Sequence, residues 1–376
     1  MTPPLRRAAP RQVGRGAGGP IAAVGGGAAF RRGSSRRPAA GLAAPLLAAL
    51  VALALGCGAR GAGDAGGPAP DAGPTDAGPP IEVAVFDGTL VSGVGGDPAF
   101  QTVDATVDLP AGRFSHVLMT YTLQTRCVPP PGPPGDLCDP WDRFTNVTID
   151  APGGPIELMR AITPFGGDRV WTEEVTDYQS LLSGTTTLHL TITSYADPSG
   201  AASGTQAGFL ASLSLSYEAG EPARDVLAIL PIFTGELDGT TLPFAATLDV
   251  PAGATAGALR VRTSGHGAVM PNCDEFCPRP NVLTVDGTEI TAVSPWRYDC
   301  ESFCSDADAD GSCDENPWGL PASVRADRSG WCPSDVVVVR AFDATPFVAA
   351  GPHALTYDVV GVLGYWKVGL DLVVYR

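Results

Sequence analysis

Lysine is almost missing from this chain: of its 24 basic residues only Lys367 is a lysine, and histidines number four. Eight of the arginines fall before residue 57, where there is no acid, so the remainder carries −24 against a whole-chain charge of −16. A surface that acidic excludes a nucleic-acid partner, because phosphate binding needs clustered cations. The histidines, His116, His189, His266 and His353, are scattered, with no His-x-His and no metalloprotease motif. Nucleophile elbow, P-loop and dinucleotide fingerprint are all lacking. Also missing is any sustained helical periodicity, which leaves the β classes.

What is present begins with an address. An arginine-rich flank precedes an apolar run from Ala39 to Leu55, which ends at Leu53-Ala54-Leu55-Gly56-Cys57. Basic flank, short apolar core and small residues at the break form a secretory signal rather than a membrane span. The ending resembles a lipobox, in which Cys57 is acylated; the alternative is an uncleaved membrane helix. Residues 1–57 are therefore expected to be a lipoprotein signal peptide. Residues 58–80, rich in Gly, Ala, Pro and Asp, are expected to be a disordered tether. Eight cysteines follow: Cys127, Cys138, Cys273, Cys277, Cys300, Cys304, Cys313 and Cys332. An even number in an exported chain points to disulfides. Zinc ligation is the competing reading, disfavoured because no pair has Cys-x-x-Cys spacing and no histidine lies near.

From Ile81 onward, apolar residues alternate with polar ones. Leu188, Leu190 and Ile192 do so, as do Leu213, Leu215 and Tyr217, and Leu370, Leu372 and Val374. Period two with Gly/Pro/Asp breaks predicts an all-β sandwich or barrel. Val336–Val339 reads as a strand buried on both faces, and Tyr178–Leu182 as a short helical turn. Thr106-Val107-Asp108-Leu109-Pro110-Ala111-Gly112 returns as Thr247-Leu248-Asp249-Val250-Pro251-Ala252-Gly253, each followed by a strand pattern and a cysteine-bearing loop. The repeat predicts two similar domains, 81–220 and 221–376; the bland reading is a common turn.

Two carboxylates stand out, Asp142 beside Trp141 and Glu275 beside Phe276, each in a cysteine-bearing loop. A carboxylate braced by a disulfide and an aromatic loses freedom and shifts its pKa, as acid/base or nucleophilic work requires. An Asp in such a loop is more ordinarily a turn residue. Arg143 and Arg328 have the bidentate donors to orient a carboxylate or bind a substrate oxygen. Asp306, Asp308, Asp310 and Asp314, with Gly311, have the alternating spacing of a structural calcium loop within an insertion near 299–315; the alternative is a solvated acidic insertion.

Together these motifs resemble the bacterial peptide:N-glycosidase F family, the amidases that release N-linked glycans from asparagine. The likeness is carried by Cys138-Asp139-Pro140-Trp141-Asp142-Arg143-Phe144, Ile162-Thr163-Pro164-Phe165, Val175-Thr176-Asp177-Tyr178, Ser264-Gly265-His266-Gly267, Cys273-Asp274-Glu275-Phe276-Cys277 and Asp327-Arg328-Ser329-Gly330-Trp331-Cys332-Pro333. The resemblance implies two side-by-side antiparallel jelly-roll domains with the active site between them. It makes Asp142 the catalytic aspartate and Glu275 a second catalytic carboxylate, and places Trp141, Arg143, His266, Arg328 and Trp331 around the substrate. Where the family has a glutamate and, two residues on, a tryptophan, this chain has Thr193 and Tyr195, both expected on one pocket face. The implied disulfides are Cys127–Cys138, Cys273–Cys277 and Cys313–Cys332, leaving Cys300–Cys304.

The expected function is hydrolysis of the amide between asparagine and the first N-acetylglucosamine, without a catalytic cofactor. The enzyme would be a monomer that acts on glycoproteins or glycopeptides from a lipid anchor in the cell envelope. A non-catalytic glycan- or protein-binding lipoprotein on the same scaffold is the second reading. A copper monooxygenase shares paired jelly rolls but needs clustered histidines and a methionine ligand, which four scattered histidines cannot supply.

Overall fold

The computed structural model describes residues 78–93, 98–125, 139, 141–165, 167–194, 208–267, 271–303 and 325–376. All of these fall in one compact unit spanning 70–376. Cys57, the tether to residue 77, Cys127, Cys138, Tyr195, Cys304, Cys313 and the four calcium-loop aspartates lie outside the described residues. No helix among the described residues is long and apolar enough to cross a membrane.

Among the described residues, eighteen strands make up nearly all the regular structure. The first eight are β1 (Ile81–Val91), β2 (Thr102–Leu109), β3 (Phe114–Thr125), β4 (Phe144–Ala151), β5 (Gly154–Ile162), β6 (Arg169–Glu174), β7 (Gly184–Ile192) and β8 (Phe209–Ala219). The other ten are β9 (Val226–Asp238), β10 (Phe244–Val250), β11 (Ala256–His266), β12 (Asn281–Val285), β13 (Thr288–Val293), β14 (Trp296–Arg297), β15 (Arg328–Ser329), β16 (Arg340–Asp343), β17 (Gly351–Val359) and β18 (Tyr365–Tyr375). The helical turn expected near Tyr178 is a 3₁₀ turn, Thr176–Tyr178, extended by an amide bond from Leu182 back to the Tyr178 carbonyl.

The strands pair antiparallel in sheets of order β1-β8-β3-β6 and β2-β7-β4-β5, then β16-β11-β18-β9 and β10-β17-β12-β13. The second pair of sheets repeats the strand order of the first, strand for strand, so the fold is two eight-stranded jelly-roll sandwiches. The repeated heptapeptide sits at equivalent places, on the edge strands β2 and β10, just before β3 and β11. Period-two burial explains each core. In β8, Phe209, Ala211, Leu213, Leu215 and Tyr217 point inward while the serines between them face out. A second core gathers Leu237, Leu259, Leu283, Tyr357, Trp366 and Leu372.

Two strands depart from simple alternation, and they face each other. From Trp366 to Tyr375 β18 is buried at every position but Lys367, and β5 is buried at every position from Ile156. In both, one face fills its own core and the other meets the opposite sandwich. A register shift in the β4–β5 pairing skips Leu158, and this bulge puts Glu157 and Arg160 on the same side. There Arg160 holds Glu157 through Nε (2.8 Å) and Nη2 (2.6 Å) and gives Nη1 to the Lys367 carbonyl at 2.7 Å. Arg262 on β11 returns the stitch, donating to the Glu157, Leu158 and Val337 carbonyls and to Glu173. A Cβ at Gly369 would collide with the Glu157 carboxylate, so any side chain there has to displace the carboxylate that Arg160 holds.

The expected strand at Val336–Val339 does not form. Val336 makes one isolated bridge to Ala161, Val337 is buried and Val338 is exposed. The segment is apolar because it lies along β5, the edge of its sheet, and bonds both ways with it: Ile162 to the Asp335 carbonyl at 3.0 Å, Ser334 to the Ile162 carbonyl at 3.1 Å, Val337 to the Arg160 carbonyl at 2.8 Å. An edge strand needs such a cover.

Replacing Arg262 with Met strands three buried carbonyls and the Glu173 carboxylate. Breaking a buried pair in this way costs about 3 kcal/mol. Urea unfolding of Arg262→Met should show a loss of that order; a loss below about 1 kcal/mol would mean that the seam contributes little.

Candidate active site

The loop entering β4 is fixed before Asp142 is reached. Asp139, almost wholly buried, accepts the Trp141 amide (3.3 Å), the Arg143 Nε (2.8 Å) and the Ser194 hydroxyl (2.7 Å). Thr163 works from the other side: its hydroxyl accepts the Arg143 amide at 2.8 Å and donates to the Trp141 carbonyl at 3.0 Å. Asp142 stands between two residues whose backbones are held on both sides.

The loop after β11 is built the same way. The Cys273–Cys277 disulfide closes it. Asp274, fully buried, accepts the amides of Leu363 and Gly364 and the Arg279 Nε at 2.8 Å. The Glu275 amide bonds the Gly267 carbonyl at 3.3 Å, and the Glu275 carbonyl accepts the Ser329 amide at 2.9 Å. These ties aim the Glu275 side chain at β15.

On β15, the Arg328 side chain is only 1% exposed, and Nη1 serves both loops. It donates to the Glu275 carboxylate and lies 3.6 Å from Asp142 Oδ2. Its guanidinium sits 4.3 Å from the Trp331 ring centroid and 4.8 Å from that of Phe276. Trp331 is fixed in turn by its Nε1–H to the Gly265 carbonyl, 2.8 Å. One cation thus joins a carboxylate from the first sandwich to one from the second.

That single charge does not offset the burial of two carboxylates. Burial pushes Asp142 up to about 6, against the pull of Arg328 and Arg143. Burial pushes Glu275 up to about 7, against Arg328 and with help from the Asp142 charge. With one cation between them, the two titrate as a pair. The arrangement offers an ionised carboxylate beside a protonated one near neutral pH, a pairing suited to proton-transfer chemistry.

Of the residues singled out from sequence, Asp142, Glu275 and Arg328 come together, with Trp331 beneath the guanidinium. Trp141 is 42% exposed and available to a ligand. Arg143 turns to Asp139. His266 is buried between Trp331 and Tyr365, its Nε2 2.9 Å from the Ser264 hydroxyl. Thr193 directs its amide (2.9 Å) and hydroxyl (3.3 Å) at the Phe144 carbonyl, so it secures the start of β4. The pairing Cys313–Cys332 gives way to Cys300–Cys332, at a sequence separation of 32, and this excludes Cys300–Cys304 as well. The geometry is apt: β14, which runs into Cys300, pairs with β15, which runs into Cys332. Cys273, Cys277, Cys300 and Cys332 are thereby spent as disulfides and are not zinc thiolates. Sequence reading missed Asp139, Asp274 and Thr163, although an Asp directly after a Cys in both loops was a usable signal.

A cavity of about 380 Å³ lies at the other end of the seam, lined by Ser115, His116, Glu174, Asp177, Arg224 and Arg260. Asp177 already holds both guanidinium groups and the Tyr375 hydroxyl there.

Residues 239–365 match the family model described as peptide-N-glycosidase F, C terminal. Peptide-N(4)-(N-acetyl-beta-D-glucosaminyl)asparagine amidase F of Elizabethkingia miricola is 25% identical over 287 residues, covering 69% of this chain and 72% of its own length. In fold, recombinant peptide:N-glycanase F superposes with a TM-score of 0.62 at 21% identity, over 80% of this chain and 96% of its own. PNGF-II gives 0.61 at 18% identity, over 79% of this chain and 66% of its own. The chain is peptide-N-glycosidase F-like, as its motifs imply.

Both raised carboxylates bind protons more tightly folded than unfolded. Their contribution to stability is therefore complete below about pH 4 and is lost as pH rises through 6 to 7. Glu275→Gln should flatten the fall in unfolding free energy between pH 4 and 8 by an amount on the order of 2 kcal/mol. Parallel pH–stability curves for the two proteins would show that Glu275 carries no such shift.

Proposed function

We propose that this peptide-N-glycosidase F-like chain hydrolyses the amide between asparagine and the first N-acetylglucosamine of N-linked glycans. The observation that carries the reading is Arg328, which holds Asp142 and Glu275 from two sandwiches on one guanidinium. Asp142, the lower of the two in pKa, takes a proton from water as its oxygen attacks the side-chain amide carbon. Glu275, the higher, gives its proton to the leaving nitrogen as the C–N bond breaks. The products are an aspartyl peptide and a glycosylamine, which loses ammonia in water. Export is supported by the Cys273–Cys277 and Cys300–Cys332 disulfides; anchoring through acylated Cys57 completes this reading. The enzyme works as a monomer.

The second reading, a glycan-binding lipoprotein without catalysis, is favoured by one observation. Thr193 stands where the resemblance expects a glutamate, and its hydroxyl is already engaged by the Phe144 carbonyl.

A denatured N-glycoprotein incubated with the protein should release its glycans and leave aspartate in place of asparagine. Asp142→Asn should lower kcat about 10³-fold, in the range ascribed to a general acid or base. Glycan binding without release would favour the second reading.

The pH dependence of kcat/KM should be bell-shaped, falling below about 6 as Asp142 gains its proton and above about 7 as Glu275 loses its own. Glu275→Gln should remove the alkaline limb. A limb that survives this substitution would reassign the acid.

A further inference from the structure

The end of the seam away from the carboxylates is closed by the link between the sandwiches, residues 220–225. The link is held at both of its ends. The Gly220 amide bonds the Arg113 carbonyl at 3.4 Å, and the Asp225 carbonyl accepts the Arg376 amide at 2.9 Å. Arg113 adds an ion pair to Glu221 at 2.5 Å. Behind the link lies the cavity of about 380 Å³, walled by the first sandwich at His116, Glu174 and Asp177, and by the link and β11 at Arg224 and Arg260. That volume falls at the small end of the range for pockets that take up small molecules.

The two arginines have one carboxylate between them. Arg224 Nη2 and Arg260 Nη2 both donate to Asp177 Oδ2, which also accepts the Tyr375 hydroxyl at 3.0 Å. Three donors thus converge on a single oxygen. Each guanidinium is backed by a tyrosine ring, Arg224 at 4.9 Å from the Tyr375 centroid and Arg260 at 4.8 Å from that of Tyr178. Such backing fixes the donors before a ligand arrives. Two cations against one carboxylate leave this side of the cavity with one positive charge. The other wall has the opposite sign. Glu174 Oε1 accepts the Thr176 hydroxyl at 3.0 Å and lies 3.1 Å from His116 Nδ1, and the side chain is half-exposed. Glu221 is offset by Arg113 and adds no net charge to either side.

A small cavity with one positive and one negative wall matches a small molecule that bears both charges. A simple anion would satisfy the arginines and be repelled by Glu174; a simple cation would meet the reverse. We infer that the cavity binds a free α-amino acid, with its carboxylate across Arg224 and Arg260 and its ammonium group at Glu174. Guanidinium forks suit the carboxylate, since they bond both of its oxygens at once. Such a ligand touches the first sandwich, the link and β11 together, and so adds a clamp to the seam at the end that Arg160 and Arg262 do not reach. The site is separate from the carboxylate pair, and the inference does not depend on the amidase reading.

The test is calorimetric titration of the whole protein with three probes of one shape: L-alanine, L-lactate, which lacks the ammonium group, and L-alaninamide, which lacks the carboxylate. Alanine should bind about tenfold more tightly than either of the others. Arg224 and Glu174 are both at least half-exposed, so each can be replaced without opening a core. Arg224→Gln should weaken alanine about tenfold and leave alaninamide unchanged, whereas Glu174→Gln should weaken alanine equally and leave lactate unchanged. Lactate as tight as alanine would make this a plain anion site, and alaninamide as tight as alanine a cation site; either result overturns the inference. So does the absence of alanine binding at millimolar concentration. A variant that weakens all three probes alike would show that its side chain only shapes the cavity, and would remove that charge contact from the assignment.

Discussion

Two buried arginines, Arg160 and Arg262, hold this molecule in the form that gives it a site. Each spans from one sandwich to the other, and between them they satisfy Glu157, Glu173 and four backbone carbonyls. Isolated charges at such depth would be very costly, and only complete pairing makes them tolerable. An apolar interface of the same area would hold the halves together with less discrimination of register. Guanidinium forks accept few alternatives, so β5 meets β11 and β18 at one height. The separation of Asp142 from Glu275 follows from that height.

The duplicated topology explains why the carboxylates come in a pair. In each sandwich a loop tied down by a buried aspartate next to a cysteine, Asp139 or Asp274, delivers one acid to the gap. The two loops are not copies in detail. The first leans on Thr163 and Ser194, the second on the β17–β18 turn at Leu363 and Gly364. What unifies them is Arg328, which belongs to neither. Its short strand is held by β14 and by the Cys300–Cys332 bridge, so the cation is placed by elements outside both eight-stranded repeats.

Much of this was legible in the sequence. Alternation at Leu188–Ile192 and Leu213–Tyr217 specified half-buried strands, and the heptapeptide repeat marked equivalent edge strands of two sandwiches. Asp142, Glu275 and Arg328 were found through their neighbours, since the chemistry near a cysteine or an aromatic is local. The failures were all non-local. Val336–Val339 is apolar like a core strand, yet its partner is the edge of β5, some 175 residues earlier in the chain. The bridge from Cys300 to Cys332 spans the whole acidic insertion, which spacing alone does not reveal. Arg262 and Glu157 look like surface residues until the Leu158 bulge and the second sandwich are in place.

The scarcity of lysine acquires a practical meaning from where the one lysine sits. Lys367 is the single side-chain amine of the protein, and it stands beside Phe144 and Tyr365 on the strand that lines the seam between the sandwiches. Amine-directed chemistry thus has one side-chain address here: a fluorophore or a resin coupled through lysine would report on, or disturb, the seam itself. Immobilisation that leaves the seam undisturbed goes through the terminal amine, carboxylates or an added tag.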